Sequence, residues 1–264
     1  MKVGVFDSGV GGLTVLAALL KQLPAEDYIY LGDTARLPYG SKSRATIARY
    51  AVSSARFLVE EGAEFLVIAC NTASALALDA IRDAVRVPVL GVIETGANAA
   101  QASSTTGDVL VIATDATVQS HAYAAACKER GLRAFEKACP LLVPLVEEGW
   151  LDTPVTLEVL RIYLSELLEQ SQRANLMPDT LVLGCTHYPL LRQPIEQTVP
   201  ALRVIDSAEV TAAQVAAALG DRLVINETGV RKFYATDSVE KFGRLGTRFL
   251  GEAIDCVGLV DLGG

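Results

Sequence analysis

Glu64-Phe65-Leu66-Val67-Ile68-Ala69-Cys70-Asn71-Thr72 is the stretch that decides the fold. An unbroken apolar run from Phe65 to Ala69 stops at a cysteine, and a helical pattern follows through about Ala84. A short run without polar alternation is a strand covered on both faces, which indicates a parallel sheet beneath helices. The same order returns at Asp179-Thr180-Leu181-Val182-Leu183-Gly184-Cys185-Thr186-His187. Upstream, Val3–Phe6 has its counterpart in Val109–Ile112; downstream, Val89–Val92 has its counterpart in Val204–Ile205. Apolar runs are common singly, but matches in one order in both halves predict an internal repeat.

The remaining chain fills in around these runs. Tyr28–Leu31 and Phe233–Ala235 read as strands. Helical spacing covers Leu13–Leu23, Lys42–Gly62, Gln119–Arg130, Thr156–Ser171, Gln214–Leu219 and Ser238–Leu250. The expected class is α/β, with two pseudo-symmetric lobes of mostly parallel sheet and an active-site cleft between them. Residues 1–95 with 208–264 are expected to form the first lobe and 96–207 the second. Ligands of open α/β sheets bind at the carboxyl ends of the strands, so Cys70 and Cys185 are expected to approach the cleft from opposite sides.

The chain has 264 residues, 51% of them hydrophobic, which is ample for a large core and excludes disorder. Asp and Glu number 31 against 23 Lys and Arg, for a net charge of −8. That balance argues against nucleic acid, whose phosphates demand a basic surface. The first apolar run ends at Asp7, too early for a signal peptide, and no run approaches the length of a membrane span. A soluble cytoplasmic protein without membrane contact is expected. The five cysteines, Cys70, Cys127, Cys139, Cys185 and Cys256, form no disulfide framework, so a special cysteine here has a chemical task.

Cys70 and Cys185 each close a strand just before a helix. Helix N-termini lower a thiol pKa through the dipole and free N–H groups; the alternative is an ordinary buried cysteine. His187, two residues beyond Cys185, can set the protonation state of that thiol, or merely cap or pack. His121 falls in a helical stretch and reads as structural. Asp7-Ser8-Gly9-Val10-Gly11-Gly12 resembles a dinucleotide loop, but the third glycine position holds Thr14 and Asp7 sits where a pyrophosphate belongs. Asp7 reads better as an acceptor for a cation or a base partner for a thiol, although Asp and Ser also cap helices. Asn71, Thr72 and Thr186 supply neutral donors suited to a carboxylate. Pro38-Tyr39-Gly40 is a turn.

Several chemistries fit. A Cys2His zinc site lacks the tight ligand spacing such sites use. A cysteine nucleophile activated by His187, as in a hydrolase or amidotransferase, leaves the second cysteine idle. A two-base proton transfer employs both, one thiolate removing an α-proton while the opposite thiol reprotonates the other face. A small-anion binding protein of two lobes would need neither cysteine.

Taken jointly, Phe6–Leu13, Leu31–Gly40, Cys70–Ser74, Cys139–Glu147, Leu183–Pro189 and Asp206–Ala208 resemble the cofactor-independent aspartate/glutamate racemases. The segment His187-Tyr188-Pro189 favours the glutamate-specific members. The resemblance implies that Cys70 exchanges the proton of D-glutamate, assisted by Asp7, and Cys185 that of L-glutamate, assisted by His187, with Glu147 linked to the second half-reaction. It implies substrate contacts from Asp7, Ser8, Pro38, Tyr39, Gly40, Asn71, Thr72, Thr114, Thr186 and His187. It further implies a homodimer with no metal and no pyridoxal phosphate, feeding D-glutamate to bacterial peptidoglycan. A pyridoxal enzyme needs a Schiff-base lysine, and no lysine falls in these motifs.

Overall fold

The computed structural model describes residues 1–220 and 229–263. By its internal contacts the chain divides into two compact units, Met1–Val92 with Ala208–Gly264, and Ile93–Ser207. In chain order the first unit opens with β1 (Lys2–Asp7), α1 (Leu13–Gln22), β2 (Asp27–Gly32), α2 (Arg44–Glu60), β3 (Phe65–Ile68), α3 (Asn71–Ala84) and β4 (Val89–Gly91). Then come α4 (Val92–Ser103), β5 (Asp108–Ala113), α5 (Asp115–Ser120), α6 (Ala122–Glu129), β6 (Arg133–Ala138), α7 (Leu142–Glu147), α8 (Pro154–Arg173), β7 (Thr180–Gly184), α9 (Arg192–Thr198) and β8 (Arg203–Asp206). The chain finishes with α10 (Ser207–Leu219), β9 (Arg231–Ala235), α11 (Val239–Leu250) and β10 (Gly258–Leu259).

The first unit holds a six-stranded sheet in the order β10-β9-β2-β1-β3-β4, every pair parallel. Its strands bury alternate residues in two layers. Phe6, Ile29, Leu31, Leu66 and Ile68 meet Ile47, Ala51, Ala55 and Leu58 of α2 and Ala73, Ala77 and Ile81 of α3. On α2 these positions recur at helical spacing, so one stripe faces the sheet. In the other layer the Tyr30 ring lies 5.8 Å from Phe242 of α11, and the Tyr28 hydroxyl donates to Leu23 O at the end of α1. Helices thus cover both faces, as the unbroken apolar strands require. Burying each large aliphatic side chain contributes about 1.5–3 kcal/mol.

The second unit holds a four-stranded sheet, β6-β5-β7-β8, again all parallel. The repeat is one of register as well as order. Val3 pairs with Phe65 as Val109 pairs with Thr180. Leu66 pairs with Val89 as Leu181 pairs with Val204, and Val3 pairs with Tyr28 as Val109 pairs with Ala134. Under this correspondence Ser8 matches Thr114, Asp33 matches Cys139, and Cys70 matches Cys185.

Some elements differ from expectation. Val92 starts α4 rather than ending a strand. The helix expected over Gln119–Arg130 is two helices, broken at His121, whose φ of 54° is left-handed. His121 therefore lies at a junction rather than within a helix, with Nδ1 3.1 Å from Glu136 Oε2. β6, α7, α9 and β10 carry no clear pattern in the sequence. β6 is an edge strand, and its charges are matched by neighbours: Arg133 by Asp108 and Lys137 by Glu166.

Candidate active site

In the first unit the functional candidates gather at the carboxyl ends of β1, β2 and β3. The N–H groups of Ala69 and Cys70 both point to Phe6 O, at 2.9 and 3.4 Å, which fixes the end of β3 against β1. Cys70 then N-caps α3, its Sγ accepting from Ala73 N at 3.4 Å. Sγ also lies 3.5 Å from Ser8 Oγ. Asp7 is buried at the end of β1 and accepts from Gly9 N at 2.8 Å. This local turn replaces the capping role open to Asp7 and Ser8; the N-cap of α1 is Gly12, without a side-chain bond. Asn71 and Thr72 are buried in the first turn of α3.

The loop after β2 lies beside them. Asp33 N donates to Asp7 O at 3.0 Å. Gly32 permits this approach, since a Cβ there would stand 2.5 Å from Gly9 O. Tyr39 is buried in the same apolar cluster as Cys70, between half-buried Gly40 and exposed Pro38. Its hydroxyl donates to Asp33 Oδ2 at 2.5 Å. Burial, and then the Asp33 charge, hold that phenol far above its ordinary pKa.

At the Cys70 thiol two opposed effects meet. A helix N-terminus alone lowers a thiol pKa, yet here it is pushed up from 9.0 to about 12. Burial contributes most and the Asp7 carboxylate next; the bonds with Ser8 and Ala73 pull the other way and are outweighed. Cys70 is a protonated thiol at neutral pH in the unliganded protein.

The second unit presents a different set on the same framework. Cys185 follows β7, and His187 Nδ1 lies 3.9 Å from its Sγ. His187 Nε2 lies 3.2 Å from Glu147 Oε1, the carboxylate closing α7. In a neutral ring that donates Nε2–H to Glu147, the Nδ1 lone pair faces the thiol. Thr186 is buried beside Cys185. Ala113 pairs with Gly184, so Thr114 follows β5 at the level of Cys185. Its hydroxyl is 2.9 Å from Thr117 Oγ1. Gly184 is needed for packing: a Cβ there would lie 2.9 Å from Ile112 O.

Two of these supports are not marked as functional by any spacing pattern in the sequence. Tyr188, fully buried, donates from its hydroxyl toward Cys139 O at 2.9 Å and Ala113 O at 3.1 Å, tying the loop after Cys185 to the ends of β5 and β6. Asp33 gathers the Tyr39 loop. Asp33 lies within Leu31–Gly40 and Tyr188 within Leu183–Pro189, and a carboxylate or an aromatic hydroxyl inside such a loop motif is the signal that identifies them. Among the described residues, no cluster of three or more His, Cys, Asp or Glu is placed to hold a metal ion. Among them, too, no helix is long and apolar enough to cross a membrane.

Residues 3–215 match the family model for Asp/Glu/hydantoin racemases. A glutamate racemase of Koribacter versatilis is 50% identical, covering 99% of this chain and 98% of its own. The crystal structure of glutamate racemase from Francisella tularensis in complex with D-glutamate superposes with a TM-score of 0.90 at 35% identity, covering 99% of this chain and 97% of the other. That of the Thermus thermophilus glutamate racemase in complex with β-chloro-D-alanine gives a TM-score of 0.87 at 44% identity, covering 99% and 97%. Matched from end to end in sequence and in fold, the chain belongs to the Asp/Glu/hydantoin racemase family, among its glutamate racemases.

Proposed function

We propose that the protein interconverts L- and D-glutamate by passing the α-proton between Cys70 and Cys185. One observation carries this reading: the two cysteines occupy the same position in two sheets of equal register, each with its own proton-handling neighbours.

The chemistry assigns the roles. An α-proton is a weak acid, so the site must stabilise developing negative charge with fixed dipoles. Asn71, Thr72, Thr114 and Thr186 offer neutral donors to the carboxylates of glutamate, and Ser8 and the Pro38-Tyr39-Gly40 loop complete the hold. The substrate ammonium is the partner for buried Asp7. Once bound, its positive charge offsets Asp7 and draws the Cys70 pKa down, so that the thiolate that removes the proton of D-glutamate forms only with substrate in place. On the L side, His187 takes the Cys185 proton at Nδ1, and Glu147 stabilises the resulting imidazolium. Family membership adds a cytoplasmic homodimer to this reading, with D-glutamate passing to peptidoglycan and neither metal nor pyridoxal phosphate taking part.

Circular dichroism of L-glutamate incubated with the protein in deuterium oxide tests the proposal. The signal should decay to zero, and newly formed D-glutamate should carry deuterium at the α-carbon. A product retaining its original protium refutes two-base exchange. A Cys185-His187-Glu147 row also suits a cysteine nucleophile. Such an enzyme would survive Cys70→Ser, whereas the racemase would not.

A further inference from the structure

We propose that Thr236, acting through Asp33, is a positioning residue that sets the affinity for glutamate. The inference rests on the reading above, in which the Pro38–Gly40 loop holds substrate.

The loop between β2 and α2 has little regular structure, only single turns at Thr34–Arg36 and Tyr39–Ser41. Something outside it must fix its shape. The buried carboxylate of Asp33 binds three groups: Arg36 Nε at 2.8 Å, Tyr39 Oη at 2.5 Å and Thr236 Oγ1 at 2.9 Å. Thr236 directly follows β9. Its hydroxyl donates to Asp33 Oδ1 and accepts from Ala35 N at 2.9 Å, so one O–H serves both sides. The next residue continues the seam, with Asp237 N donating to Thr34 Oγ1 at 2.9 Å and that hydroxyl donating to Asp237 O at 2.5 Å.

These contacts are not needed to build the sheet. β9 already pairs with β2 from Arg231 to Ala235, opposite Tyr28 to Gly32. The seam extends that pairing past the strand ends, into the loop that carries Tyr39 and Gly40. None of its bonds reaches Cys70, whose own partners are Ser8 and Ala73, so its effect falls on binding rather than on proton transfer.

Thr236→Val keeps the shape and removes the hydroxyl. Hydrogen-exchange mass spectrometry of the whole protein should show amides 34–41 exchanging about tenfold faster than in wild type. KM should rise about tenfold for both enantiomers, with kcat changing by less than about twofold. Thr236→Ser should restore both, and Asp33→Asn should move both in the direction of Thr236→Val. Unchanged exchange would show that the seam does not hold the loop. Faster exchange with unchanged KM, or a fall in kcat alone, would equally overturn the proposal. If wild-type protein does not racemise glutamate, the function assigned above fails, and the exchange measurement still judges the seam.

Discussion

Iodoacetamide reacts with thiolate and not with thiol, so its rate on Cys70 reports the ionised fraction of that sulfur. With the thiol pushed to about 12 from an ordinary 9.0, the fraction ionised at pH 8 drops from roughly a tenth to roughly one in ten thousand. Unliganded protein at pH 8 should therefore alkylate at Cys70 about a thousandfold more slowly than the same peptide in denatured protein. Restricted access also slows a buried sulfur, so the decisive quantity is the pH dependence. The logarithm of the rate, followed by mass spectrometry of the Cys70 peptide, should climb about one unit per pH unit from about pH 7 to 10.5 without levelling. In denatured protein it should flatten near the ordinary value. Asp7→Asn removes the second-largest cause of the shift, and alkylation at pH 8 should then quicken by about tenfold. A plateau below about pH 10 in wild-type protein would refute the claim that burial and Asp7 overcome the helix terminus.

The Cys139 thiol is likewise pushed up to about 12, by burial above all. Its folded pKa exceeds the unfolded one, so its contribution is full below about pH 9 and is lost as pH rises toward 12. Urea titrations should show the stability gap between wild type and Cys139→Ala narrowing by about 1.4 kcal/mol between about pH 8 and 10; a constant gap would sink the assignment. His187→Asn and Glu147→Gln should enlarge the α-deuterium isotope effect measured from L-glutamate more than that measured from D-glutamate, and equal changes would remove both from the Cys185 side. Gly32→Ala drives a Cβ to 2.5 Å from Gly9 O, and should destabilise by about 3 kcal/mol in urea unfolding. Gly107→Ala, at φ +77° with no neighbour within 4 Å, should lose only about 1 kcal/mol, and equal losses would refute the packing argument.

What the sequence discloses depends on whether a residue's partners lie near it in the chain. β3 and β7 are apolar throughout because helices cover both faces, so their type, order and terminal cysteines are readable directly. β6 is not. Arg133, Glu136 and Lys137 make it look like a charged loop, and only Asp108, His121 and Glu166 explain those charges. The break between α5 and α6 is a single left-handed residue inside an unbroken helical pattern. At the site, spacing places His187 beside Cys185, and the motif places Asp7 near Cys70. Spacing does not weigh a dipole against burial and a carboxylate, which is why the direction of the Cys70 shift came only with the fold. Thr236 and Asp33, 203 residues apart, share no pattern that a reading along the chain can find.

Two sheets of one register carry unlike equipment: a buried carboxylate at the end of β1 raises the pKa of one thiol, and an imidazole beyond β7 lies 3.9 Å from the other. The scaffold is doubled while the side chains upon it differ, so on the two-base proposal kcat in each direction can be altered on its own. Thermodynamics limits that freedom. Mirror-image molecules in an achiral solvent have equal free energies, so any variant, however lopsided, must still leave equal amounts of both hands. Damage to one half can redistribute which step is slow and which enantiomer saturates the protein, but the ratio kcat/KM must fall by the same factor from either side.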